Sequence, residues 1–220
     1  PLIIEGANGS LGLSFCNALE MIGASPPSLL LTTNSTDVGS EWQSAFPHAK
    51  ILFRSDKQSS FNISELLGAT FAEANVLYCA GYGQPNKFLG AERGIIEANI
   101  SQLFDYASKK LNSFSFMSSS EVYAGMPGNV AEDNLTMLVP TSARAPYVEA
   151  KRLGEALTLQ MIGAGDHRVC CFRVALAFPP RLIDGDTRVM NDLIASGINN
   201  SEVKLRGGKN LIRQYQYGPL

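Results

Sequence analysis

Tyr147 and Lys151 stand four residues apart in Ala145-Pro146-Tyr147-Val148-Glu149-Ala150-Lys151, a spacing of about one helical turn that puts a phenol and an ammonium on one face. A cation beside a phenol favours the phenolate, so a side chain with an ordinary pKa of about 10 becomes a candidate base nearer neutrality. Taken alone, such a pair is more commonly a half-buried ring beside a snorkelling lysine. Two other clusters favour chemistry. Gly6-Ala7-Asn8-Gly9-Ser10-Leu11-Gly12 follows the apolar run Leu2-Ile3-Ile4-Glu5. It precedes a helical pattern over 13–22 carrying Phe15, Leu19 and Ile22. Glycines there allow close backbone approach, and the helix N-terminus offers free N–H groups to a pyrophosphate. Ser118-Ser119-Ser120-Glu121-Val122-Tyr123 gathers three hydroxyls and a carboxylate at the end of a strand-like run. Glu121, two residues past Ser119, falls on the same face of an extended strand, so both can reach one ligand.

The intervening segments must position these groups, and they alternate between strand and helix. Strands are expected at 2–5, 28–34, 49–54, 75–80, 113–117 and 168–176, and helices at 13–22, 62–74, 94–111, 145–161 and 186–198. Pro146 suits the first turn of its helix, and Gly163 and Gly165 can end it. Such alternation predicts an α/β fold, a doubly wound parallel sheet with right-handed crossovers. Residues 75–80 read as a central strand buried on both faces, and Gly81-Tyr82-Gly83 after it leaves room for a ligand against the backbone. The second strand ends in Thr33-Asn34, where a dinucleotide site usually presents an acid to the adenosine ribose; no arginine is adjacent either, so NAD and NADP both stay open. The helix over 94–111 is apolar across a wide arc, which suits burial against the sheet and a second subunit. The loop over 125–142 can lie over the site.

Composition narrows the class. The chain has 220 residues, 45% hydrophobic, with net charge −2, enough for one sizeable core. No apolar run reaches the ~18 residues of a membrane span and no leader pattern is visible, so a cytoplasmic location is expected. Without a basic stripe interleaved with aromatics, nucleic acid is not the expected partner. Neither the four cysteines, expected to be buried free thiols, nor His48 and His167 have metal-ligand spacing. The chain opens directly in a strand and stops at Tyr217-Gly218-Pro219-Leu220, which reads as a fragment or as a chain lacking disordered pieces.

The glycine run, the serine strand end and Tyr147-x-x-x-Lys151, in that order, resemble the extended short-chain dehydrogenase/reductases that act on nucleotide sugars, the NAD-dependent epimerase/dehydratases. Ser118-Ser119-Ser120-Glu121-Val122-Tyr123 looks like the S-T-S-E-V-Y-G stretch of UDP-glucuronate decarboxylases and GDP-mannose 4,6-dehydratases. Arg144-Ala145-Pro146-Tyr147-x-Glu149-x-Lys151-Arg152, Asp186-Thr187-Arg188-Val189 and Arg213-Gln214-Tyr215-Gln216-Tyr217 look like decarboxylase segments. The resemblance implies a Rossmann-like NAD(P)-binding domain over 1–177 and the start of an incomplete substrate-binding region over 178–220. It implies a catalytic trio of Ser119, Tyr147 and Lys151 assisted by Glu121, with Asn99 in support. NAD or NADP is then held by Gly6, Gly9, Ser10, Leu11, Gly12, Thr33, Asn34, Asp56, Ala80 and Gly81, together with Tyr147 and Lys151. The implied partners are a nucleotide-sugar substrate, met by Ser120, Arg188 and Arg213, and a second copy in a homodimer. Ala124 in place of a glycine and Thr33 in place of the acid depart from the pattern, and the pocket-completing segment expected after Arg213 is absent. The alternative is a non-enzymatic NAD(P)-binding sensor or a catalytically silent fragment of that family.

Overall fold

In the computed structural model, the described residues are 1–34, 36–53, 63, 67–81, 83, 90–134, 138–161, 168–183, 186, 188–199, 202 and 215–217. Six parallel strands form one sheet: β1 (Leu2–Glu5), β2 (Leu29–Thr33), β3 (Lys50–Phe53), β4 (Asn75–Tyr78), β5 (Ser113–Ser119) and β6 (Arg168–Val174). Their order is β3-β2-β1-β4-β5-β6, the expected doubly wound arrangement. Ile3 lies opposite Leu30 and Val76, and Ile4 opposite Leu31 and Leu77. Because side chains alternate across a sheet, neighbours in the sequence feed different cores. Ile3, Leu30, Val76, Tyr78, Phe114 and Phe116 pack on one face, and Ile4, Leu31, Leu13, Cys16, Trp42 and Phe46 on the other.

Helix α1 (Ser10–Met21) and α2 (Thr36–Ala45) serve the second face, while α3 (Glu92–Ala107) and α4 (Ala145–Gln160) pack together over the first. Helix α2 has no counterpart among the expected elements. Its sequence is mostly polar, yet Trp42 and the adjoining Phe46 are almost wholly buried, with ring centroids 6.0 Å apart. Where a helix was expected over 62–74, Gly68–Glu73 forms a 3-10 turn; residues 62 and 64–66 lie outside the described ones. Helix α3 ends four residues earlier than expected, and Leu111 reaches the core from the turn beyond it.

The expected strand over 168–176 divides. β6 stops at Val174, and β7 (Leu176–Phe178) pairs instead with β8 (Tyr215–Tyr217) in a separate two-stranded sheet. Helix α5 (Val189–Ile198) follows. The expectation of buried thiols holds for Cys16 and fails for Cys170, which is exposed because β6 is an edge strand with one open face. No helix of the described residues is long and apolar enough to cross a membrane.

Candidate active site

The strand order reverses direction between β1 and β4, and the carboxyl ends of the strands diverge there into a crevice. The crevice is a cavity of about 400 Å³, walled at one end by Gly6, Asn8, Gly9, Ser10 and Leu11 and at the other by Ser119, Tyr147 and Lys151. Thr33, Asn34, Ala80 and Gly81 also line it. Asp56 and Arg213 lie outside the described residues.

Two of the glycines are required by space. Gly6 has φ +75°, and a Cβ there would sit 2.8 Å from the Ala80 Cα. At Gly12 a Cβ would come within 2.2 Å of the Gly6 carbonyl oxygen. Gly12 therefore lets α1 press against the loop but does not itself line the cavity, unlike Gly6 and Gly9. Gly9 donates to the Gly6 carbonyl at 3.0 Å and sits at the N-cap of α1 without a side-chain cap. A cradle that any side chain would fill, next to uncapped helix N–H groups, fits the diphosphate of a dinucleotide.

Beneath this loop lies Glu5, fully buried and not singled out by sequence reasoning. Its carboxylate accepts from Thr32 Oγ1 at 2.6 Å and from Tyr106 Oη at 2.7 Å, and Thr32 Oγ1 in turn accepts the Gly6 N–H at 2.9 Å. The signal was a charged residue closing an otherwise apolar central strand. At the end of β2, Asn34 and Asn8 hydrogen-bond to each other through their side chains, joining the ribose-side strand end to the glycine loop.

At the chemical end, the stripe Tyr147, Lys151 and Glu155 on α4 faces β5. Ser119 hydrogen-bonds to the Tyr147 phenol. Lys151 is buried; its Nζ donates to the Met117 carbonyl at 2.9 Å and lies 5.9 Å from the Tyr147 ring centroid. Burial pulls the Lys151 pKa down to about 8, against the opposing pull of Cys79 and Glu155. The Tyr147 pKa is raised, first by desolvation and then by Glu121, while the Ser119 hydrogen bond and Arg188 act to lower it. Desolvation of the phenol outweighs the lowering expected from a nearby cation. Asn99 is also buried: its Nδ2 donates to the Ile95 carbonyl at 2.8 Å, and its Oδ1 is without a partner among the described residues. A Cβ on Gly81 would lie 2.4 Å from that oxygen and 3.2 Å from Lys151 Nζ, so the glycine keeps this corner open.

The strand ends at Ser119, and Ser120–Tyr123 is a 3-10 turn, so the two-residue strand argument for Glu121 does not apply. Glu121 reaches the cavity through the turn instead, with its N–H on Ser119 Oγ at 3.2 Å. Both its oxygens accept from Arg144 Nη1, at 2.9 and 2.7 Å. Ser120 is half-buried and lies outside the cavity wall. Behind the turn, Glu155 accepts from Ser118 Oγ at 2.5 Å and from Arg173 at 2.9 and 2.8 Å. Arg173 also donates to Tyr123 Oη at 2.7 Å and to the Glu132 carbonyl at 2.5 Å. That last contact draws the loop towards the β6 edge, and none of its described residues lines the cavity, contrary to the expected cover. Arg188 lines the cavity beside the glycine loop, its Nη2 donating to Ser10 Oγ at 2.8 Å. Val174, Ala175, Leu176 and Ile183 add an apolar wall that was not anticipated.

The sequence pattern of the NAD dependent epimerase/dehydratase family matches residues 2–218. The chain belongs to this family. No curated protein matches it in sequence. Among solved structures, UDP-glucuronic acid 4-epimerase from Bacillus cereus, in complex with UDP-glucuronic acid and NAD, superposes with a TM-score of 0.75 at 19% identity, covering 99% of this chain and 69% of that one. UDP-N-acetylglucosamine 4-epimerase from Methanobrevibacter ruminantium, in complex with UDP-N-acetylmuramic acid, gives 0.72 at 17% over 99% and 69%. A double mutant of dTDP-glucose 4,6-dehydratase from Streptomyces venezuelae, with NAD bound, gives 0.76 at 13% over 99% and 68%. These likenesses show the fold of this epimerase/dehydratase family member.

Proposed function

We propose that this chain is an NAD(P)-dependent nucleotide-sugar epimerase, dehydratase or decarboxylase that works through transient oxidation at the sugar C4. The observation that carries this reading is one cavity with a glycine-walled diphosphate cradle at one end and the Ser119–Tyr147 hydrogen bond at the other. Held between the glycine loop of Gly6 and Gly9 and the Tyr147–Lys151 end of the cavity, a nicotinamide cofactor would supply the hydride chemistry at C4. Tyr147 takes the proton of the C4 hydroxyl, and Ser119 shares that hydrogen bond. Lys151, fixed by the Met117 carbonyl, supplies positive charge behind the phenol. Val174, Ala175 and Leu176 give the cavity an apolar side against which a ring can lie. Glu121, with both oxygens on Arg144, is suited to orienting the ring substituent at C5, and this favours dehydration or decarboxylation over plain epimerisation.

The test feeds UDP-glucuronate, UDP-glucose and GDP-mannose with either cofactor and follows product mass. Loss of carbon dioxide identifies a decarboxylase, loss of water a dehydratase, and unchanged mass with altered chromatography an epimerase. Tyr147→Phe should abolish turnover while cofactor binding persists; wild-type turnover in that variant removes Tyr147 from the mechanism. A second reading, an NAD(P)-binding module without turnover, draws on the raised Tyr147 pKa. It predicts calorimetric binding of the cofactor and no product from any of the three sugars.

A further inference from the structure

Arg188 meets the glycine loop from the far end of the chain. Its Nη2 donates to Ser10 Oγ, and Ser10 is the first residue of α1. Asp186, whose side chain is 1% exposed, accepts from Arg188 Nε on both oxygens at 2.9 Å and from the Arg188 backbone N–H at 3.0 Å. Asn191 in the first turn of α5 donates to the Asp186 carbonyl at 2.8 Å and accepts the Ile183 N–H at 3.1 Å. The guanidinium is thus held from behind by a buried carboxylate, and the start of α5 is tied into the same group of contacts. Of the described residues lining the cavity, Lys151 and Arg188 are the two cations, alongside the carboxylates of Glu121 and Asp186, and Lys151 is engaged at the opposite end by Met117. Arg188 is therefore the cation beside the backbone N–H groups where a dinucleotide's diphosphate fits. A diphosphate carries about two negative charges against the roughly half charge of a helix terminus, and with Nε and Nη2 taken up by Asp186 and Ser10, Nη1 is the nitrogen turned to a charge-assisted contact with a phosphate oxygen.

We propose that Arg188 clamps the diphosphate of the bound dinucleotide, and that cofactor loading thereby fixes the segment from Asp186 through α5 against the glycine loop. This rests on the cofactor reading above. It moves Arg188 from the substrate's phosphates, where the family resemblance put it, to the cofactor. Coupling of this kind is reciprocal: whatever orders α5 also tightens the cofactor.

Calorimetry on the full chain with NAD, ADP-ribose and adenosine tests it, using the wild type, Arg188→Lys and Arg188→Gln. Losing a charge-assisted contact should weaken NAD and ADP-ribose by about tenfold or more in Arg188→Gln, with adenosine unchanged and Arg188→Lys intermediate. Equal NAD affinity in Arg188→Gln and the wild type overturns the proposal, as does an equal loss for adenosine. Hydrogen exchange on the wild type supplies a readout that needs no variant. NAD should slow exchange across Val189–Ile198 at least severalfold, and an unchanged rate in the NAD-saturated protein overturns the coupling. A wild type that binds neither NAD nor NADP overturns the cofactor reading itself, and the two failures are thereby distinct.

Discussion

Lys151 shows how one residue can serve a site and weaken the fold that holds it. An ammonium with an exposed pKa of 10.5 and a folded pKa of about 8 is penalised by burial. Below pH 8 both states are protonated and the folded one bears the whole penalty. Between pH 8 and 10.5 the unfolded chain holds more protons than the folded one, so stability rises with pH across that window. The difference corresponds to about 3 kcal/mol. The thiols of buried Cys16 and half-buried Cys171, pushed up to about 12 from 9.0 by desolvation, act with the opposite sign above pH 9, which leaves pH 8 to 9 as the clean interval. Urea unfolding of wild type and Lys151→Met should show the variant's advantage largest at pH 7 and narrowing towards pH 9. An advantage that does not vary with pH would mean that Lys151 is not desolvated. A penalty of this kind persists where function needs it, and it also marks what spacing alone misses. The four-residue separation put the ammonium and the phenol on one side, but the carbonyl that engages the ammonium belongs to Met117 on another element.

At the scale of elements, the contact between α4 and β5 depends on Gly154, which no pattern in the helix singled out. A Cβ there would lie 2.4 Å from Cζ of Phe116, a ring with no exposed surface. Helix propensity alone would reward Gly→Ala by up to about 1 kcal/mol, whereas overpacking a filled core costs about 1–3 kcal/mol. The clash should win at Gly154 and propensity at Gly94 in α3, where a Cβ meets nothing within 4 Å. Chemical denaturation should therefore show Gly154→Ala destabilised and Gly94→Ala stabilised; the same sign for both would refute the packing argument. This contrast separates the legible parts of the sequence from the illegible. Parallel strands at the sheet centre were readable because Leu29-Leu30-Leu31 is buried on both faces and Val76-Leu77 is an unbroken apolar pair with one face buried and one half-buried, and the glycine loop because its context is local. Helix α2 was not, since two aromatics in a polar run carry little periodicity until β2 and β3 give them something to cover. The Glu121 turn was misread as strand because the 3-10 break after Ser119 leaves no mark of Gly or Pro. Arg188 reached the glycine loop across 178 residues of separation, a distance over which spacing says nothing.

For the whole molecule, the question is what covers the outer faces of α3 and α4. These helices pack against each other over the sheet, yet Phe104 is 53% and Leu153 41% exposed, with Ile96 and Leu159 also open. Ile96 and Phe104 are eight residues apart on α3, about 80° around the helix, so they share an apolar side that the sheet does not use. Exposed apolar side chains on two adjacent helices suit an interaction face, and the wide apolar arc over 94–111 is visible in the sequence. We propose that a second copy of this chain fills it, the two helices of each subunit forming a four-helix contact about a twofold axis. A self-complementary face makes each substitution count twice, once from each subunit. Sedimentation at micromolar concentration should give a dimer for the wild type and a monomer for Phe104→Asp/Leu153→Asp. Neither position lines the cavity, so the monomer should keep its NAD affinity. A wild type that sediments as a monomer at all concentrations up to about 100 μM, where the free-energy gain of association is still only about 5 kcal/mol, would leave these helices without a twofold partner.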